Sequence, residues 1–278
     1  MSLPTSLGQK SSALLPCAEN DGPMGSSVPN VERQNHIHGV CGRWNAPGVD
    51  LASVTAGTVM HGTRLPLRKW FLAMYFESES KRGISALELH QRIRVTYKTA
   101  WYVLHRLRSA MVQREQKYLL DGDVDADDVF VGGMTPGRRG RATKKVPAVI
   151  ALSLTEHGDP RYLKIRPVEG WDTESVTSTV QNMISVEACV ATDAMGGFNG
   201  LQAAGYEHLF VVSAHLPKDE HFSPNLHTQI ANLKAQLHGT YHRSPARKHI
   251  ASYFDAFCFR FNRRFMPSVM DPLPMPVR

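Results

Sequence analysis

Cysteine is scarce in this chain: there are four in 278 residues, at Cys17, Cys41, Cys189 and Cys258, and no two form a CxxC pair. That spacing argues against a disulfide framework and against an intact four-cysteine zinc site. Long apolar runs are also missing. None reaches the roughly 18 residues of a membrane span, and no signal-peptide pattern opens the sequence. No membrane partner is therefore expected, and the expected location is cytoplasmic. Acidic residues are thin in one stretch: between His61 and Leu120, twelve Lys or Arg stand against four Glu. The net charge of the whole chain is +7, so this one segment accounts for its entire excess. A basic stripe of this kind points to a polyanion, although a solvated helix face has the same composition.

The first 50 or so residues are rich in Ser, Pro, Gly and Asn and have no hydrophobic period, the composition of a mobile segment. His38-Gly-Val-Cys41 has the gap of half a zinc knuckle, but no second half follows. Periodicity begins after Thr55, with a helix expected from near Pro66. Ser85 then precedes Glu88 by three residues, the capping-box spacing. After a short link, Ala100, Val103, Leu104 and Leu107 recur at helical spacing. Two capped helices with a brief turn between them read as a helix-turn-helix. In that motif the N-terminal residues of the second helix enter the major groove, here Thr96, Tyr97 and Lys98. Arg106 and Arg108 lie further along, where phosphate contact is expected instead.

Past Asp121 the period changes from helical to strand-like. Alternation across Val124-Asp-Ala-Asp-Asp-Val-Phe-Val puts Asp125, Asp127, Val129 and Val131 on one face of a strand, with Val124, Ala126, Asp128 and Phe130 on the other. Asp is depleted in strands, so its presence here needs a reason. A loop carrying Arg138, Arg139, Arg141, Lys144 and Lys145 follows, suited to a phosphate backbone. Two further strands are expected, from Val146 and from Tyr162, and then a helix capped by Asp172 and running to about Ile184. Cys189-Val-Ala-Thr-Asp193 reads as a fourth strand, apolar until its last residue. A short helix over residues 196–204 and a strand from His208 come next. Residues 226–238 form the last expected core helix, with Leu226, Ile230, Leu233 and Leu237 as its apolar stripe. This order predicts a mixed α/β sheet in which the end of the fourth strand lies beside the first, so that Asp127 and Asp193 approach one another.

Two carboxylates on adjacent strand ends repel unless a cation neutralises them. A pair of Mg²⁺ ions about 4 Å apart does so, and activates a water or a 3′-hydroxyl for in-line attack on a phosphodiester. Lys234 is positioned as a point charge for the DNA backbone. His227 lies seven residues before Lys234, on the same side of the helix, whereas Asn232 lies roughly 140° around the axis from His227.

The chain resembles the DDE transposases of bacterial insertion sequences, in particular the ISXO-like group. The likeness is carried by Thr55-Ala-Gly-Thr, Gly83-Ile-Ser-Ala-Leu-Glu-Leu-His, Tyr97-Lys-Thr-Ala-Trp-Tyr-Val-Leu-His-Arg-Leu-Arg, Asp127-Asp-Val-Phe-Val-Gly-Gly, Thr192-Asp193, Ile230-Ala-Asn-Leu-Lys234, Gly239-Thr-Tyr-His and Phe259-Arg-Phe-Asn-Arg-Arg264. The resemblance implies four segments. Residues 1–54 are a mobile segment with a degenerate zinc-ribbon remnant, and 55–118 a helix-turn-helix DNA-binding domain. Residues 119–264 are an RNase H-like DDE catalytic domain, and 265–278 an irregular tail. It implies Asp127 and Asp193 as the first two catalytic acids and metal ligands, Lys234 as the downstream basic residue, and Mg²⁺ or Mn²⁺ as cofactor. The third acid falls at His227, where relatives carry Glu. Imidazole is a poor ligand for Mg²⁺, so Asn232 is the alternative. The implied activity is DNA strand cleavage and strand transfer, by a homo-oligomer acting on terminal inverted repeats and target DNA. The other reading is a catalytically impaired, transposase-derived DNA-binding protein. Asp128 stands where the family has Glu, and Gln236 where it often has Trp.

Overall fold

A computed structural model describes residues 53–132, 145–193, 195–211, 222–242 and 245–265. The chain divides into two units, residues 1–42 and 43–278, and every described residue belongs to the second. The expected N-terminal segment (apart from residues 53–54), most of the basic loop and nearly all of the tail lie outside the described residues. Among the described residues no helix is long and apolar enough to cross a membrane.

Three helices come first: α1 (Leu67–Glu79), α2 (Ala86–Ile93) and α3 (Tyr97–Glu115). Ser85 caps α2 by accepting from the Glu88 amide at 3.1 Å. The Glu88 carboxylate does not close the box; it pairs forward along the helix with Arg92. Arg94 turns the chain in the left-handed region at φ 50°, and Thr96 caps α3 through the Thr99 amide. Trp70, Leu89, Ile93, Val103, Leu104 and Leu107 form the core of this helical module.

The sheet has five strands in the order β3-β2-β1-β4-β5. They are β1 (Asp123–Val131), β2 (Val146–Leu154), β3 (Pro160–Pro167), β4 (Cys189–Asp193) and β5 (Glu207–Val211). β1, β2 and β3 pair antiparallel as consecutive hairpins, whereas β4 runs parallel to β1 and β5 parallel to β4. The continuous apolar run of β2 is explained by cover on both faces. One face packs on α4 (Thr173–Gln181) and the segment after β4, through Val176, Val180, Phe198 and Leu201. The other packs on α5 (Pro224–Gly239) and α6 (Ile250–Asn262), through Leu226, Leu233, Ile250 and Phe254.

Three expectations are corrected. α4 ends at Gln181, because the Met183 carbonyl is taken by the Leu120 amide and the Ser185 amide bonds back to the Leu120 carbonyl, drawing the chain into a bridge. Residues 196–204 form only a 3-10 turn over Gly196–Gly200 and then further turns. α5 is not the last core helix. α6 lies between the sheet and α3, burying Phe254, Phe257 and Cys258 on one side and meeting Met111 through Ala256 and Phe259 on the other. Its charged residues Asp255 and Arg260 are buried along with its apolar ones, so the segment has no solvated face to set it apart.

α3 is shared between the module and the sheet domain. Its second half reaches a buried charge cluster in which the Glu77 carboxylate, fully buried, lies 3.5 Å from Arg108 Nε and 3.2 Å from Arg260 Nη1. Its second oxygen accepts from the Ile84 amide at 3.2 Å. Burial works against the charge of Arg108, but Glu77 and the tyrosines at 241 and 253 outweigh it and hold its pKa above the ordinary value. One carboxylate thus serves two guanidinium groups contributed by α3 and α6. Glu77→Gln leaves both cations buried without a counter-charge, and we expect a loss of about 3–5 kcal/mol of stability. Chemical denaturation of the two proteins measures it, and a difference below about 1 kcal/mol contradicts the role given to Glu77.

Candidate active site

The parallel ladder between β1 and β4 runs from Asp123↔Cys189 to Ala126↔Thr192 and stops there. One further step of the same register sets Asp127 opposite Asp193. Beyond Thr192, therefore, the edge of β1 faces the end of β4 without ladder bonds, and the acids gather there. Asp127, Asp128 and Asp193 each bring a carboxylate oxygen within 4.8 Å of the others. The approach of Asp127 and Asp193 expected from the sequence is what the structure contains. Asp128 was placed on the opposite face of the strand and left out of the site. Alternation describes where a side chain leaves a paired strand, but at an open edge a carboxylate from either face can turn round the margin.

Local bonds hold the cluster in place. Asp127 Oδ1 accepts from the Asp128 amide at 2.7 Å, and Asp193 Oδ1 from the Met195 amide at 3.3 Å. Thr192, fully buried beneath the site, gives its hydroxyl proton to the Asp193 carbonyl, so His208 Nε2 at 2.8 Å is the donor to Thr192. His208 was not singled out in the sequence, since nothing in one strand shows which neighbour will lie under the next. Asp127 is 7% exposed, and burial raises its pKa to about 6. The Asp128 amide offsets part of that rise, while the neighbouring charges of Asp128 and Asp193 add to it and His227 opposes it. Three hard oxygen donors converging on one point, one of them left with abnormally high proton affinity, are a donor set suited to a divalent cation.

α5 is registered against β1 by its first turn. Ser223 caps the helix through the Leu226 amide and also bonds the Asp125 side chain, whose pKa is raised by burial and lowered by that bond. Two residues along a strand and four along a helix both advance the chain by about 6–7 Å. Asp127 therefore meets His227, with Nδ1 3.9 Å from Asp127 Oδ2 and the imidazole half exposed. Lys234 is exposed two turns further along the same helix. Asn232 is not at the acids. Its amide bonds Gln229 at 3.4 Å, and it lines a cleft between α5 and α6. The 140° rotation from His227 carries it there, so it is not the substitute for the third acid.

The residues expected to meet DNA divide sharply. Thr96, Tyr97 and Lys98 are exposed at the start of α3, although the Thr96 hydroxyl is used as the cap. Arg106 is half-buried, donating to the His61 carbonyl at 2.9 Å and lying over the Tyr102 ring. Arg108 cannot reach a phosphate: it is 2% exposed and committed to Glu77, and its assignment to DNA is corrected. Lys145 is described, half-buried, just before β2. Arg138, Arg139, Arg141 and Lys144 lie outside the described residues.

No curated protein matches the chain. Among solved structures, a pre-cleavage Mos1 transpososome shares 11% identity over 71% of this chain and 77% of that one, with a TM-score of 0.25. The Mos1 strand transfer complex shares 13% over 73% and 76%, with a TM-score of 0.28. Those overlaps are too loose to bear on the fold. The sequence profile of the ISXO2-like transposase domain, by contrast, matches residues 119–262, slightly more than half of the chain. That span opens just before β1 and closes at the end of α6, taking in all three acids and the helix beside them. The chain belongs to the ISXO2-like transposase family.

Proposed function

We propose that this protein cleaves DNA strands at the ends of a mobile element and joins the freed ends to target DNA, with Asp127, Asp128 and Asp193 holding Mg²⁺ or Mn²⁺. The acid cluster at the point where β1 and β4 part, in a chain of this family, carries the reading. The strand order, with β1 central and parallel to β4, fits the RNase H-like core that the resemblance implies. A bound divalent cation supplies Lewis acidity to a phosphate oxygen and lowers the pKa of an attacking water or hydroxyl.

The chain's own groups do the rest. Asp128 contributes the third carboxylate that His227 does not. The imidazole of His227, beside Asp127 and open to solvent, is placed to take the proton that an attacking hydroxyl loses. In cleavage, water attacks phosphorus and the bond to the 3′-oxygen breaks, leaving a free 3′-hydroxyl. In transfer, that hydroxyl attacks a target phosphodiester and displaces the target's own 3′-oxygen. Lys234 contacts the backbone as a point charge. The exposed start of α3, with Tyr97 and Lys98, reads the element ends as the second helix of a helix-turn-helix. Transposition of this kind requires at least two copies of the protein to hold two DNA ends.

A strand-transfer assay on the element's terminal repeats, with Mg²⁺ or Mn²⁺, tests the chemistry. Asp193→Asn is expected to lower product at least about a hundredfold, the scale of losing a group that stabilises developing charge directly. Equal product from both proteins leaves only the DNA-binding reading. Lys98→Ala is expected to weaken binding to repeat DNA, with the salt slope smaller by about one, while the melting temperature stays within a degree or so. Unchanged affinity removes α3 from the interface.

Metal binding also has a pH signature. Without metal, folded Asp127 keeps its proton up to about pH 6, whereas the unfolded carboxyl loses it near 3.9. The protonated form therefore contributes stability at low pH that is lost as pH rises through 6. A cation must displace that proton. Millimolar Mg²⁺ should raise the melting temperature strongly at pH 8 and little at pH 5, and Asp127→Asn should abolish the difference. An equal rise at both pH values counts against Asp127 as a ligand.

A further inference from the structure

α1 buries one face and leaves the other bare. Trp70, Ala73, Met74 and Glu77 are buried, whereas Leu67, Phe71, Leu72 and Tyr75 are each between 37% and 46% exposed. Leu67, Phe71 and Tyr75 follow one another at intervals of four, and Leu72 precedes Tyr75 by three, so the four side chains form one stripe along the helix. Single exposed apolar residues are ordinary on a protein surface. A contiguous row of them marks a face that something covers.

Charge closes the stripe at both ends. Arg68 stands four residues before Leu72, and Glu79 four residues after Tyr75, so Arg68, Leu72, Tyr75 and Glu79 run along one side of the helix. Both charged residues are exposed, and among the described residues neither makes an ion pair. Their order is unfavourable for the helix itself. The start of a helix prefers anions and its end cations, but α1 has no acid in its first turn and no base in its last.

The order becomes favourable against a second α1 laid antiparallel to the first. A two-fold axis midway between Leu72 and Tyr75 sets Leu72 of each copy against Tyr75 of the other. The same rotation sets Arg68 of each copy against Glu79 of the other, because the two charges are equidistant from that midpoint. Each charge then also lies beside the end of the opposite helix that its sign prefers. A patch whose two halves complement each other under one rotation is what an isologous interface requires, whereas an unrelated partner imposes no such symmetry.

We propose that α1 is a self-association surface: two copies of this chain pair through antiparallel α1 helices, with Phe71, Leu72 and Tyr75 at the centre and two Arg68–Glu79 ion pairs at the rim. A 13-residue helix is about 20 Å long, and a contact of that length falls at the low end of interface sizes. The dimer is therefore reversible. The inference stands on the helix face and not on the acids, and it supplies a surface for the two copies that strand transfer needs.

Sedimentation velocity of the full chain over a concentration series, without DNA and in EDTA, tests this separately from the chemistry at Asp193. Wild type is expected to pass from monomer to dimer as concentration rises. Leu72→Glu should abolish the dimer, with folding checked by circular dichroism. Arg68→Glu and Glu79→Arg should each weaken it about tenfold at moderate salt, because each turns two symmetry-related attractions into repulsions. An equimolar mixture of those two variants should recover dimerisation, since one copy then carries acid at both positions and the other base. The double variant Arg68→Glu/Glu79→Arg should recover it as well. A chain that stays monomeric at every concentration overturns the proposal and leaves the stripe to another occupant, such as the chain's own N-terminal segment or a different protein. A dimer that survives Leu72→Glu, or charge variants that the mixture fails to rescue, overturns it too.

Discussion

The interaction that organises this protein is a repulsion. Asp127 and Asp193 are next in line in a parallel ladder that stops one residue short of them. Carboxylates carried in register on neighbouring strands repel one another, and here a third joins them at the same margin, all within 4.8 Å. Burial is the main cause of the raised pKa of Asp127, and the charges of Asp128 and Asp193 add to it. Everything rigid nearby resists the repulsion: β2 along the other edge of β1, the Met195 amide on Asp193, the Thr192–His208 bond underneath, and the Ser223 cap that fixes α5 to Asp125. A loosely held site would let the acids swing apart, whereas this one keeps three carboxylates together as a donor set suited to a divalent cation.

How much of this could be read from residues alone depended on whether each pattern was local. The alternation in β1 told correctly that Asp127 shares a face with Val129 and Val131, because both valines pack with α5 and α6 on that side. The apolar stripe of α5 and the caps at Ser85 and Asp172 were equally legible, since each is a relation within a few residues, whereas Thr96, expected at DNA, turned out to be a cap as well. The place of Asp128 beside the other two acids was not legible, because it depends on where another strand ends 65 residues later. α6 was missed for the opposite reason. Enclosed by the sheet on one side and α3 on the other, it buries Asp255 and Arg260 with its apolar residues, so charge does not mark an outer face. Arg108 shows the hazard of counting charge by segment, since it is a core residue neutralised by Glu77 and not part of a basic surface.

The fate of that arginine also changes how the basic segment is understood. Of its cations, Arg108 is consumed in the core, Arg92 pairs with Glu88, and Arg106 is tied to a backbone carbonyl. Of the exposed cations that remain, Lys98 lies on the first turn of α3, where Tyr97, Trp101 and Tyr102 are also exposed, while Arg64, Arg68, Lys81, Arg82, Arg114 and Lys117 are exposed elsewhere in the segment. Tyr97 and Trp101, four residues apart, share one face of α3, and exposed aromatics are expensive in water unless something covers them.

α3 therefore has two tasks at its two ends. Its first turns carry the exposed aromatic and basic surface, and its last turns are bound into the sheet domain through Arg108 at Glu77 and through Glu115 at Arg263 and Asn262. A 19-residue helix is about 28 Å long and does not bend easily. Whatever docks on its N-terminal end is thus held at a fixed distance and angle from α6, and through α6 from the sheet that bears the acids. Ion pairs buried at such a joint contribute little net stability compared with apolar packing, but they tolerate far less misalignment. The role of the Glu77 cluster is geometric: it fixes the angle at which α3 joins the sheet domain that bears the three carboxylates.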